Sequence, residues 1–231
     1  MRDTKKAWYA KWWGILIILV LAFVLIIIMT LGLTFLNYSR QIKNNPLLIN
    51  TLVPNRKGID MKIIEGENAY WLGSANPKLT IVEFGDFSCS ACKNSFSILR
   101  EISVKHKDQV KIIFRDFPII SEHSLDLAMA GRCAGEQGLF WPMYDKLYLN
   151  QGISTNKEIQ NVFDQIGGNT EKFMTCLNAK RYYQDIQKDI KDADTLEIKG
   201  TPAWFINGNN INGDIPREMF LDLVEKILGA T

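Results

Sequence analysis

The sequence predicts an α/β domain carried behind one membrane-spanning helix, with a block of helices set into the α/β part. Three observations predict it. Ile15 to Leu36 is an uncharged apolar run of 22 residues. Two short β-branched runs, Leu79–Phe84 and Val110–Phe114, enclose a stretch of helical period. From about Ser124 to Asp194 the pattern is almost continuously helical.

At about 1.5 Å per residue the apolar run is roughly 33 Å long, enough for a hydrocarbon core of about 30 Å. Arg2, Lys5, Lys6 and Lys11 precede it against Asp3 alone. The positive-inside rule then holds residues 1–13 in the cytoplasm as a basic tail and sends the chain beyond the 14–36 anchor across the membrane. Trp8, Tyr9, Trp12 and Trp13 at the inner end, and Tyr38 at the outer, suit interfacial positions. A cleavable signal peptide is the competing reading. Its apolar region is shorter and ends in small residues, whereas NYSRQIKNNP follows here.

Residues 37–68 show little periodicity and read as a stalk, with one short strand at Met61–Ile64. The globular domain then occupies 69–231. In it Leu79–Phe84 (LTIVEF) reads as a buried strand ended by Gly85 and Asp86. Ser90 to about Val104 turns helical, and Val110–Phe114 is a second buried strand. A crossover of that length implies a parallel βαβ unit. The stretch 124–194, interrupted by glycines and Pro142, predicts three to five helices. Ala203–Asn207 and Asn210–Asn212 flank Gly208-Asn209 as a hairpin. Pro216 opens a last helix over Arg217–Leu228. The net charge of +2, with no stripe of cations among aromatics, argues against a nucleic-acid partner.

Four cysteines lie beyond the anchor, on the side where disulfides persist, and four allow three connectivities. Cys89-Ser90-Ala91-Cys92 stands where the first buried strand meets a helix. A thiol at a helix N-terminus meets unpaired N–H groups and the positive end of the dipole. Such a site lowers a thiol pKa from about 8.5 to between roughly 3.5 and 7.5. Cys89 is therefore expected to be the exposed nucleophile and Cys92 the buried resolving thiol. A stapling bridge or half a zinc site are the alternatives, but Cys133 and Cys176 stand 43 residues apart and offer no second close pair, so no metal is expected.

Glu83 interrupts an apolar strand six residues before Cys89. Buried, it would have a raised pKa and could exchange protons with the inner thiol; the other reading is a strand-end carboxylate facing solvent, Lys78 or Lys111. Thr201-Pro202 precedes the strand AWFIN and marks a tight turn whose isomer the residues do not fix. His106 reads as solvated and His123 as a helix-start residue that could lie near the cysteines. Trp71, Trp141 and Trp204 read as core or groove-wall aromatics, and Phe87 as part of a substrate groove.

WLGSANPKLTIVEFGDFSCSACKNSF resembles the active-site region of the DsbA-like thiol–disulfide oxidoreductases. VKIIFRDFPI, CAGEQGLFWPMYDKLY and GTPAWFING continue the likeness in order, from about Tyr70 to the C-terminus. The resemblance implies a thioredoxin fold: a central mixed β-sheet flanked by helices, with an all-helical subdomain inserted at 124–194. It implies Cys89 as attacking and Cys92 as resolving cysteine, Glu83 as the buried acid and Pro202 as a cis-proline against the redox pair. It implies that the Thr201 backbone meets substrate by strand-like pairing, with Phe87, Ser90 and Ala91 lining the contact. Some relatives carry a second disulfide, which implies a structural Cys133–Cys176 bridge.

The expected activity is disulfide donation to newly translocated proteins. No cofactor is needed beyond the Cys89–Cys92 pair, and a membrane partner of the DsbB type would reoxidise it. The domain would be periplasmic or extracellular on a single-pass cell-membrane anchor. Ser90-Ala91 lacks the proline and histidine common in strong oxidants, so a less depressed pKa and a less oxidising couple are expected. Isomerase or reductase activity, a tethered chaperone and a metal-binding module stay open.

Overall fold

The computed structural model describes residues 12–44 and 60–229. They fall into two compact units, divided at Val53–Pro54. The basic tail before Trp12 and residues 45–59 of the expected stalk lie outside the described residues.

The first unit is one helix, α1 (Trp12–Asn44). Its stretch Leu16–Asn37 is long and apolar enough to cross a membrane, and none of it is buried within the protein. The two hydroxyls in this stretch are satisfied inside the helix: Thr30 and Thr34 donate to the carbonyls of Ile27 and Leu31, each at 2.9 Å. In a medium without water that return bond is what makes a hydroxyl tolerable. The helix runs about two turns past Leu36, into residues read from sequence as stalk.

The second unit begins with α2 (Met61–Glu65), not with the expected short strand. Asp60 caps it by accepting the Lys62 N–H at 2.9 Å, and Gly66 ends it at φ 71°. The apolar pair Ile63-Ile64 suits either period, and the cap decides for helix. Ile64 is buried among Val82, Phe84, Ile113 and Phe205. These residues thus belong to the globular body, not to a stalk.

Strands β1 (Tyr70–Gly73), β2 (Leu79–Gly85), β3 (Val110–Asp116), β4 (Ala203–Ile206) and β5 (Asn209–Asn212) form one sheet in the order β1-β3-β2-β4-β5. The β2–β3 pair is parallel and the other three are antiparallel. This is the mixed sheet of the thioredoxin fold. Helix α3 (Ser90–Lys105) makes the crossover between β2 and β3, and α9 (Arg217–Gly229) packs beside it over Ile81, Ile112 and Trp204. The β4–β5 turn falls on Asn207-Gly208, one residue earlier than expected. Both have positive φ, 47° and 81°, the conformation for which a two-residue hairpin favours Asn-Gly.

Between β3 and β4 come α4 (Ser124–Gly135), α5 (Phe140–Leu149), α6 (Asn156–Asp164), α7 (Thr170–Asn178) and α8 (Tyr183–Thr195). Phe140, Tyr144, Phe163 and Phe173 fill their shared core. A disulfide joins Cys133 on α4 to Cys176 on α7, with Cα atoms 5.7 Å apart.

A buried ion network fastens this block to the sheet. β3 runs two residues past the apolar segment, because Arg115 and Asp116 are buried pairs and not a solvent boundary. Arg115 donates to Asp189 (2.9 Å) and Asp192 (2.6 Å) on α8 and to the carbonyls of Ile63 and Ile64 (2.7 and 2.9 Å). Arg132 on α4 donates to Asp116 and to Asp189, both at 2.6 Å. One carboxylate therefore serves two guanidiniums. Asp189→Ala is expected to cost about 3–5 kcal/mol in a urea titration of the full chain in detergent, because it takes one of two carboxylate partners from each of two buried guanidiniums. Arg181→Ala, which breaks only the surface pair with Glu136, should cost about 0–1 kcal/mol.

Candidate active site

β2 is the central strand, buried at every residue but Thr80, and what leaves its C-terminal end determines the site. Gly85 and Asp86 turn the chain, and Cys89 becomes the N-cap of α3 with extended backbone (φ −81°, ψ 121°). Its sulfur takes the role an aspartate or serine oxygen usually fills, accepting the Cys92 N–H at 3.3 Å. The loop is held at several points. The Cys89 N–H donates to the Asp86 carbonyl at 3.0 Å. The buried Asp86 carboxylate accepts the N–H groups of Ser88 (2.8 Å), Ile119 (2.7 Å) and Ile120 (2.8 Å). From the helical block, Gln151 donates to the carbonyls of Phe87 (3.0 Å) and Cys89 (2.8 Å).

The Thr201–Pro202 peptide is cis and lies against the pair. The Cys89 thiol donates to the Thr201 carbonyl at 3.3 Å. Cys89 is 5% exposed and Cys92 0%. The expected exposed nucleophile is thus a covered one, because the cis-proline loop lies over it; the difference in access between the two sulfurs is retained but small.

The electrostatics separate the two sulfurs much further. Cys89 is lowered to about 6, first by the Cys92 thiol donating to it; burial opposes this, and Thr201 and the N–H groups of Cys92 and Ala91 help. The hydrogen bond between the two residues is to the Thr201 carbonyl; the Thr201 hydroxyl is buried and has no hydrogen-bond partner among the described residues. Cys92 is pushed far above an ordinary thiol by burial, by its bond to Cys89 and by Glu83. No histidine lies between the cysteines, yet the thiolate is stabilised by the partner thiol and the helix start.

Glu83 is 1% exposed and pairs across the sheet with Phe114 and Trp204. Burial raises it to about 8, moderated by the Tyr144 hydroxyl, which donates to Oε2 at 3.0 Å. It faces neither solvent nor lysine. The register puts it on the side of the sheet covered by α3, and it contributes to the raised pKa of Cys92.

Other expected positions differ. Phe87 is 1% exposed and packs on Phe114, Tyr144 and Tyr148, so it is core and not groove wall. Ser90 is exposed and Ala91 half-buried at the first turn of α3. Trp204 is fully buried, whereas Trp71 is 47% exposed under Lys111. Trp141 is half-buried and donates to the Trp71 carbonyl at 3.2 Å. His106 is not a solvated residue: its side chain is largely covered and lies 3.3 Å from Glu225. His123 precedes α4, its ring 3.6 Å from Glu122. Sequence reasoning missed Asp86, Gln151, Tyr144 and Tyr148. The two tyrosines did leave a signal, four residues apart on one face of α5. Among the described residues no group of His, Cys, Asp and Glu could hold a metal ion.

A thioredoxin family model matches residues 65–226. A probable disulfide bond formation protein D of Bacillus cereus is 31% identical over 155 residues, covering 62% of this chain and 72% of that protein. A Na(+)/H(+) antiporter NhaA 1 of Salinispora arenicola is 27% identical over 75% of this chain, but the chain spans only 27% of its length. Among solved structures, the thiol-disulfide exchange protein alpha-DsbA2 of Wolbachia pipientis superposes with a TM-score of 0.66 at 22% identity, over 74% of this chain and 91% of that one.

Titrating the reduced protein by thiolate absorbance is expected to show one midpoint near 6, from Cys89. Cys92→Ala removes the principal donor and should raise that midpoint toward about 8.5. The folded value lies below the unfolded one, so the thiolate's contribution to the stability of the reduced form is complete above about pH 8.5 and fades as pH falls toward 6. Urea titrations of the reduced protein at several pH values check this sign.

Proposed function

We propose that this chain, which belongs to the DsbA-like thiol–disulfide oxidoreductases of the thioredoxin family, is a disulfide-donating oxidase acting on protein thiols beyond the membrane that α1 crosses. The observation that carries the reading is the asymmetry of the sulfur pair: Cys89 lowered to about 6 at a helix start, Cys92 sealed and held protonated. A stabilised thiolate favours the reduced enzyme, and so makes its disulfide readier to oxidise another molecule.

In the oxidised enzyme a substrate thiolate attacks the Cys89 sulfur. The Cys89–Cys92 bond breaks, and Cys92 departs as a thiolate that takes a proton from Glu83. A second substrate thiolate then attacks the substrate sulfur of the mixed disulfide, and Cys89 leaves as thiolate. The substrate loses two electrons and gains a disulfide; the enzyme pair gains both electrons. No cofactor enters. The Thr201 carbonyl, which accepts the Cys89 thiol at 3.3 Å, loses that donor once the sulfur is bridged, and is then available to an N–H of an extended substrate chain. Ser90 and Ala91, at the open edge of the first turn, would border that chain.

Substrates would be secreted proteins still folding, and a membrane partner of the DsbB type would take the electrons from the reduced pair. The apolar α1, with basic residues before it, supports a single-pass anchor with the catalytic domain periplasmic or extracellular. The absence of proline and histidine at Ser90-Ala91 favours, as the second reading, a milder couple working as isomerase or reductase.

Alkylation trapping in intact cells separates the two. An oxidase should be found mostly oxidised at Cys89–Cys92, and a pair found mostly reduced would reject that assignment. Cys89→Ser should abolish exchange with glutathione, whereas Cys92→Ser should accumulate a mixed disulfide on Cys89.

A further inference from the structure

The proton of Cys92 must travel, and the buried Glu83 is an acceptor near it, itself held by the Tyr144 hydroxyl. Glu83 Oε2 accepts from Tyr144 at 3.0 Å. Oε1 has no recorded hydrogen-bond partner among the described residues, and neither does the buried Tyr148 hydroxyl. These two atoms border the same small space over Gly85, where a Cβ would stand 3.2 Å from Glu83 Oε1, 3.1 Å from the Tyr148 hydroxyl and 2.6 Å from the Phe114 ring. A side chain at 85 would fill that space, so the glycine leaves one side of the carboxyl open while Tyr144 fixes the other.

We propose that Tyr144, on α5 of the helical insertion, is a positioning residue of the redox reaction: it aims the Glu83 carboxyl and favours its ionised form, so that Glu83 can take the Cys92 proton. The proposal rests on the oxidoreductase reading above and adds the insertion to the reacting machinery. Tyr144 is fully buried, and its ring is wedged among Phe87, Phe114, Trp141 and Tyr148. Its hydroxyl therefore has a set direction. A carboxylate that accepts such a bond is favoured over the carboxylic acid. The titratable groups around Glu83 are Cys89 and Cys92 on α3, Tyr144 and Tyr148 on α5, and Asp86 beyond the same strand. Its cross-strand neighbours, Phe114 and Trp204, are uncharged. No cation competes with Tyr144 among these groups.

The step that reports this is closure of the enzyme's own disulfide. The Cys89 thiolate first attacks glutathione disulfide: the glutathione S–S bond breaks, one glutathione stays bonded to Cys89 and the other leaves as thiolate. Cys92 gives its proton to Glu83 and attacks the Cys89 sulfur; the Cys89–glutathione bond breaks, glutathione leaves as thiolate and Cys89–Cys92 forms. The closing rate should rise with pH through the ionisation of Glu83, near 8.

The experiment follows glutathione release against pH in the full chain in detergent. Tyr144→Phe should move the midpoint up by about one unit and slow closure at pH 7 about tenfold, the size expected for one hydrogen bond to a charged group. In a Glu83→Gln background the same change should leave the pH profile where it is. A role confined to packing would lower the thermal midpoint of Tyr144→Phe without moving the pH midpoint, and that result overturns the proposal. So does an equal shift that persists with Glu83→Gln. A wild-type chain that exchanges no disulfide with glutathione would instead reject the oxidoreductase reading itself.

Discussion

The contact on which the site depends is one thiol donating to another. Cys92 aims its proton at the Cys89 sulfur, and this is the largest influence holding Cys89 low. A bare cysteine at a helix start would gain only from backbone N–H groups and the dipole. Here the second sulfur supplies a donor that disappears once it is oxidised or deprotonated. For that bond to exist, Cys92 must be too deeply buried to ionise, and Cys89 must sit at the cap. Both conditions come from β2, which is buried from Ile81 onward and ends abruptly at Gly85-Asp86.

An enclosed strand is a poor place for a carboxyl, and the fold accommodates Glu83 without a counter-ion. Burial raises its pKa until the neutral acid is favoured at neutral pH, and one tyrosine satisfies one oxygen. The contrast with the other buried charges is instructive. Arg115, Arg132, Asp189 and Asp192 each have more than one charged partner, and Asp116 pairs with Arg132. Their geometry joins α2, β3, α4 and α8 and leaves them little freedom. A group meant to change protonation cannot be so tightly matched; a group meant to hold two layers together must be.

The chemistry-bearing positions were legible because each breaks a local rule. Glu83 interrupts an apolar strand, Cys89 and Cys92 stand at a strand–helix junction, and Pro202 opens a strand. What the sequence concealed was context. Residues 61–65 have an apolar pattern compatible with either period, and only the Asp60 cap turns them into helix. β1 is four residues long, with a burial pattern too weak to read, and exists because β3 offers it an antiparallel edge. Arg115 and Asp116 looked like a strand end, since nothing local announces that their partners come from α4 and α8, up to 77 residues away. Phe87 looked like groove because it adjoins the cysteines; adjacency in sequence says nothing of the face a loop residue takes. The cover over Cys89 was equally invisible, being a backbone carbonyl from a residue 112 positions later.

The chain carries two sulfur pairs with opposite fates. Cys133 and Cys176 are both wholly inaccessible, locked between α4 and α7, while Cys89 keeps a sliver of surface beneath a loop. Exchange requires a thiolate to approach along the axis of the bond it breaks, and the helical core bars that approach to the bridge. A molecule that traffics in labile bonds is thereby insulated from scrambling its own framework: the staple is outside the reach of the very reagent the domain presents.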